Sequence, residues 1–226
     1  MEATMTRTLC HILSIAALML MLSAMPALAK TVGTVTHLSG PLFASNAAGA
    51  KRALSIKSAV EEGDILVTEK RTYSRIKFID GGEVTLRPGS TLVVENYVFN
   101  KDKPAEDRAA LKLLKGGLRA VTGQVGKRGN IDAYKMKTPA ATIGVRGTTY
   151  DMKVCQAGSC EGLADGIYLF VRNGSISVTT NAGSQLFGAG SYAYIKDVNS
   201  APFVLPRDPG LNLNIPPLEK KSCNIR

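Results

Sequence analysis

The feature that most constrains the fold is an alternating pattern that changes phase at a glycine. Residues 138–152 read TPAATIGVRGTTYDM. Pro139 fixes its own φ and biases Thr138 towards extended backbone. Ile143 and Val145 fall on one face of a strand, with Thr142, Gly144 and Arg146 on the other. Past Gly147 the parity flips, and Tyr150, Met152 and Val154 share a face. A period of two that slips at a glycine is the mark of a β-bulge. Gly147 is therefore expected to redirect a strand and Arg146 to hold the bend. Two environments remain open for Arg146: a buried structural charge, or an exposed arginine on a bent strand.

The same alternation recurs along most of the chain. Residues 30–45 read as two short strands broken at Ser39-Gly40-Pro41. Glu61-Glu62-Gly63-Asp64 is a turn by composition. In residues 73–79, Ile76 and Phe78 point inward and Arg75 and Lys77 outward; in 83–87, Val84 and Leu86 point inward and Glu83, Thr85 and Arg87 outward. Asp80-Gly81-Gly82 between them predicts a hairpin. Residues 91–99 supply another strand, and the charged, proline-containing stretch 100–107 is a loop. Residues 105–114 suit either a helix or the start of a strand, and a loop that enters a strand is the favoured reading. Asn173-Gly174 predicts a second hairpin, joining 167–172 to 175–180. HLSGPLFAS from His37, LLKGGLRAVTG from Leu113 and VRNGSISVTT from Val171 form a loose repeat. Each has apolar residues before a glycine turn and alternation after it, which suggests stacked β-turns. The class is all-β: a β-solenoid-like stack or a curved sandwich of short strands, in a single domain.

Residues 1–29 read as a signal peptide. A weakly basic start leads to an apolar run over 9–22, and Ala27-Leu28-Ala29 is a small-x-small cleavage site. The run is short for a spanning helix, which needs about 20 such residues. The expected product is periplasmic or secreted, with no stable membrane span after cleavage. Residues 30–199 form the domain. Residues 200–226, rich in proline, form an extended tail with few places to pack. In an oxidising compartment Cys155 and Cys160, which bracket a turn-like loop, are expected to pair. Cys223 is left over in the tail. The formal charge is +10, with the basic residues scattered rather than in a run. That balance favours anionic partners such as envelope polymers, and makes polyanion binding one alternative.

Catalytic apparatus is hard to assemble from this chain. After cleavage His37 is the one histidine, too few for a His-rich metal site and poorly placed for a nucleophilic triad. Asp64, Asp80, Glu83, Asp132 and Asp151 could pair as acid and base. Asp64 and Asp80, however, sit in turns that favour aspartate for backbone reasons. No phosphate-loop motif occurs. The aromatics alternate with core positions, which argues against nucleic-acid stacking. No enzyme activity, cofactor or metal is expected.

Three segments in order resemble the FecR-type domain. EEGDILVTEKRTYSRIKFIDGGEVTLRPGSTLVV starts at Glu61 and carries Gly63, Asp64, Asp80 and Gly81. KTPAATIGVRGTTYDM starts at Lys137 and carries Thr138, Pro139, Val145, Arg146, Gly147 and Thr148. VRNGSISVTTNAGSQLFGAGSYAYI starts at Val171. The resemblance implies an all-β periplasmic module with no catalytic residues. In the best-known members a cytoplasmic anti-sigma segment and one transmembrane helix precede the module, which receives a signal from an outer-membrane iron-siderophore receptor. The expectation here is a non-enzymatic exported module that binds a protein partner or envelope polymer. The alternative is an accessory of cell-surface signalling that works with a separate membrane regulator.

Overall fold

A computed structural model describes residues 30–216 except 47, 129 and 131. The expected signal peptide, Cys223 and the end of the tail lie outside the described residues. The strands are β1 (Thr31–Leu38), β2 (Leu42–Ser45), β3 (Lys51–Leu54), β4 (Ala59–Glu61), β5 (Ile65–Thr68), β6 (Ser74–Phe78), β7 (Glu83–Leu86) and β8 (Thr91–Val98). After a short 3-10 turn at Pro104–Glu106 come β9 (Arg108–Val121), β10 (Tyr134–Lys137), β11 (Thr142–Cys155), β12 (Gly166–Thr180), β13 (Gly183–Gly188), β14 (Tyr192–Ile195) and β15 (Phe203–Leu205).

All of them belong to one open sheet, folded over on itself into two leaves. The first leaf runs β4-β1-β6-β7, then the C-terminal part of β9, the C-terminal part of β11, the N-terminal part of β12, β14 and β15. The second runs β3-β2-β5-β8, then the N-terminal part of β9, β10, the N-terminal part of β11, the C-terminal part of β12, and β13. Only β9–β10 is a parallel pair among these. Of the two architectures compatible with the pattern, this is the curved sandwich.

The three long strands β9, β11 and β12 pass from one leaf to the other, and each turns at a glycine in the left-handed region. Gly116 has φ 79°, Gly147 φ 60° and Gly174 φ 81°. A β-carbon on Gly174 would lie 2.8 Å from the Gly147 carbonyl oxygen, so the bends of β11 and β12 nest in each other. This corrects the hairpin expected at Asn173-Gly174. The positive φ is there, but it bends one continuous strand, because both halves pair with the equally bent β11. The loose repeat finds its meaning in the same corners. Its three units fall at the β1–β2 junction, the β9 bend and the β12 bend, where the chain changes leaf.

Alternation drives one face of each leaf inward. Leu66, Leu92, Leu111 and Met136 of the second leaf join Ile76, Val84, Leu118 and Met152 of the first in one buried core. Phe78 of β6 stacks on Tyr97 of β8 across the gap, ring centroids 4.6 Å apart.

The tail does find a place to pack. Beyond β15, residues 206–216 run back over the outer face of the first leaf. Leu211 and Leu213 are buried there beside Tyr168 and the bonded pair Cys155–Cys160. The Arg87 guanidinium donates to the Asn212 carbonyl at 2.5 Å, and Arg119 to that of Leu213 at 2.9 Å. Leucines between the prolines supply apolar anchors that the tail's proline content obscures. Thr85 faces outward as expected yet is only 5% exposed, since Ile215 and Pro216 approach the same cleft.

Candidate interaction surface

The two signature aspartates are buried in separate places, each with its own donors. Asp64 takes both Arg52 nitrogens, at 2.8 and 2.6 Å, and the Glu61 amide at 2.8 Å. The preceding Gly63 has φ 87°, which turns the chain so that this can happen. Asp80 accepts from the Tyr97 hydroxyl at 2.8 Å and from the Gly82 and Val125 amides at 2.9 and 3.1 Å. Gly81, at φ 83°, lets β6 turn into β7. Burial and the neighbouring Asp80 charge push the Tyr97 hydroxyl far above its ordinary value, so it stays a donor. Acid and base are not brought together: these carboxylates fasten turns.

In the central signature, Thr138 closes the turn after Pro139. Its Oγ1 accepts from the Ala141 amide and donates to the Ala141 carbonyl, both at 2.9 Å. Arg146 is exposed, and among the described residues its guanidinium has no hydrogen-bond or ion-pair partner. It does not hold the bend, which corrects that expectation in favour of the exposed reading. Its parity with Thr142 and Gly144 points it outward. The bend is fastened by Thr148, whose Oγ1 donates to the Ser175 carbonyl of β12 at 2.6 Å. Thr122 completes the clasp: its hydroxyl accepts from the Thr148 amide at 3.0 Å and donates to the Thr148 carbonyl at 2.6 Å. Thr122 carries no signal in the sequence, because it acts from 26 residues away.

Asp151, weighed as a possible acid, is fully buried on the outer face of the first leaf beneath the tail. Arg119 Nε donates to it at 2.9 Å and Arg172 Nε to its other oxygen. Asp132 and Glu83 lie elsewhere, each near a cation, Lys135 at 3.7 Å and Arg75 at 3.9 Å. Among the described residues no three His, Cys, Asp or Glu side chains are grouped as metal ligands.

The open face lies on the second leaf. Thr142, Gly144, Ser175, Ser177 and Thr179 form the floor of a groove of about 540 Å³. Arg146, Lys135 and Asp132 stand at one side and Leu186 of β13 at the other. Gly144 leaves the floor without a side chain at that point; a β-carbon there would only just touch Ser177, at 3.9 Å. Leu186 is 70% exposed, the most exposed large apolar side chain of the described residues. Among the described residues β13 pairs only with β12, which leaves its outer backbone edge free of them. A groove with small hydroxyl side chains, a cation, an apolar lip and a free strand edge can take an extended chain by strand addition.

Such a molecule falls among all-β modules built of short antiparallel strands around one folded-over sheet. Among the described residues no helix is long and apolar enough to cross a membrane. The chain belongs to the FecR family: the family described as FecR protein matches residues 64–184, more than half its length. That span takes in Asp64, Asp80 and the bend at Gly147, and stops at the start of β13. It leaves out β1 to β4, Leu186, β14, β15 and the tail. No curated protein matches the chain. Two crystal structures of a candidate anti-sigma factor from Parabacteroides distasonis ATCC 8503 are similar, at 14% and 13% identity and a TM-score of 0.47. The match covers 62% of this chain and 58% of that one.

Proposed function

We propose that the protein is an exported, non-catalytic FecR-family module that binds a protein partner and through it takes part in cell-surface signalling. The observation that carries this reading is the groove beside β13, where Arg146, a hydroxyl floor and Leu186 border an unpaired strand edge. Main-chain hydrogen bonds to the edge would supply affinity, and the groove would select side chains. Membership of the FecR family supports the signalling role, and the structural use of Asp64, Asp80 and Asp151 supports the absence of catalysis. The scattered positive charge favours a second reading, contact with an anionic envelope polymer.

A photo-cross-linking residue at Leu186, in the chain expressed with its own N-terminus, tests the docking surface. A discrete protein adduct from the envelope fraction is expected. Arg146→Glu should abolish it, and the same cross-linker at Lys51 on the far edge should give none. Equal adducts from both positions, or none from Leu186, would end the proposal. Binding that resists Arg146→Glu but disappears with salt would put the polymer reading first. Export is tested by the mass of the periplasmic form, expected to begin at Lys30.

A further inference from the structure

Some cations of this protein have a carboxylate partner. Arg52, Arg75, Arg119, Arg128, Arg172 and Lys137 are all ion-paired. A second cavity, of about 360 Å³, gathers cations of the other kind. It lies on the outer face of the first leaf, where β7 ends beside the bend of β9 and the end of β11. Arg87, Lys115 and Lys153 line it, with no Asp or Glu in its wall. Among the described residues none of the three is in an ion pair, and only Arg87 has a side-chain hydrogen bond, to the Asn212 carbonyl.

The cost of this arrangement is visible in the groups themselves. Arg87 is half-buried, and its Nη1 is shut off from solvent with no hydrogen-bond partner. Burial pulls the Arg87 guanidinium below its ordinary value, and the Lys153 ammonium is lowered by burial and then by Arg87. Asp151 contributes attraction, but Arg119 and Arg172 already occupy it. Like charges held together and partly desolvated are unfavourable unless an anion joins them. The fold nevertheless keeps them there. Gly117 is the device: a β-carbon at that position would lie 3.0 Å from Arg87 Cδ and 2.8 Å from the Met152 carbonyl. The missing side chain lets the arginine lie across the sheet.

Hydroxyl donors complete the wall. Tyr73 and Ser159 line the cavity. Ser159 Oγ accepts from the Gln156 amide at 3.0 Å, and its proton meets only the distant Cys160 Sγ, at 4.0 Å, a contact weak enough to give way to a ligand oxygen. The bond between Cys155 and Cys160 pins the loop that presents Ser159. Two ammonium groups, a guanidinium and two hydroxyls without a carboxylate form a donor set for a tetrahedral oxyanion.

We infer that Arg87, Lys115, Lys153, Tyr73 and Ser159 form a binding site for a phosphate monoester carried on a sugar. The cavity is far larger than a bare phosphate, and the two hydroxyls can serve a sugar as well as an anion. The site faces away from the groove beside β13, so it is separate from partner docking and does not depend on it.

Calorimetric titration of the full chain tests this, with a glucose monophosphate, inorganic phosphate and free glucose as probes. Saturable binding of the glucose monophosphate is expected, at least about tenfold weaker in both Lys115→Gln and Lys153→Gln. Lys51→Gln should bind like the parent, and free glucose should not bind. These surface changes leave the core intact, so the result does not hang on whether an Arg87 variant folds. Inorganic phosphate binding as tightly as the glucose monophosphate would overturn the sugar assignment and leave a free-phosphate site. No saturable binding, or equal weakening by Lys51→Gln, would overturn the site altogether.

Discussion

Asp151 shows how little of a side chain's role is set by its own neighbours in the chain. It sits in an alternating run as one more outward position, yet it is fully buried. Its partners Arg119 and Arg172 are 32 and 21 residues away, and only strand register brings them together. Replacing it with asparagine keeps the shape and removes the charge, leaving two guanidinium groups facing each other beneath the tail. Removing one partner of a buried pair costs about 3–5 kcal/mol, and partial solvent access to both arginines should reduce that to about 2–3 kcal/mol for Asp151→Asn. Urea unfolding would read this as a lower midpoint at unchanged slope. An unshifted midpoint would mean that the tail leaves the cluster hydrated. Arg146→Ala is the contrast, because that side chain is exposed and has no partner among the described residues. It should change stability by less than about 0.5 kcal/mol.

The glycine corners are where strands become a fold, and they were only half legible. The phase flip at Gly147 is readable because apolar parity changes within a few residues of one strand. Asn173-Gly174 is not readable in the same way. A hairpin and a strand corner both need positive φ at that glycine, and what separates them is whether the flanking halves pair with each other or with a third strand. That choice is made by β11, which bends at the matching place. The groove was hidden for a related reason: its floor comes from β11 and β12 and its lip from β13, joined only by register. The nesting of the two bends gives an ordering that can be checked. Gly174→Ala would press a β-carbon within 2.8 Å of the Gly147 carbonyl and 2.9 Å of Thr148 Oγ1. It combines left-handed strain with a backbone clash, and should cost about 2–4 kcal/mol. At Gly147 the nearest heavy atom is the flexible Lys127 Cγ, at 3.6 Å. Gly147→Ala should therefore cost only the left-handed strain, about 1–2 kcal/mol. Unfolding midpoints in the reverse order would show that the corner of β12 relaxes and that of β11 does not.

Folding one sheet over on itself gives the molecule two cores of different kinds. The tail covers an aromatic ladder on the outside, where Tyr168 meets Tyr194 at 4.8 Å and Phe170 stacks on Tyr192 at 4.3 Å between centroids. The inner core is sealed between leaves, and it encloses the polar ends of Tyr97, Tyr134 and Tyr150, exposed by 1%, 3% and 0%. Alternation alone marks Tyr97 and Tyr150 as inward, but the sealing needs both leaves, which no local pattern displays. Burial is the main cause raising each of these three phenols above its ordinary value. The consequence for stability has a definite sign. In the unfolded chain a tyrosine gives up its proton near pH 10. In the folded protein these three keep theirs at higher pH, so above pH 10 the native state binds more protons than the unfolded state. Stability is then untouched below about pH 10 and falls as pH rises beyond it, by up to about 1.4 kcal/mol per unit for each tyrosine. Three together would remove about 4 kcal/mol per unit, a large share of the roughly 5–15 kcal/mol that holds a domain together. Phenolate absorbance and strand circular dichroism, followed together through an alkaline titration, should show the last phenols ionising only as the sheet is lost. Full ionisation of all seven tyrosines with the dichroism unchanged would mean that water reaches the space between the leaves.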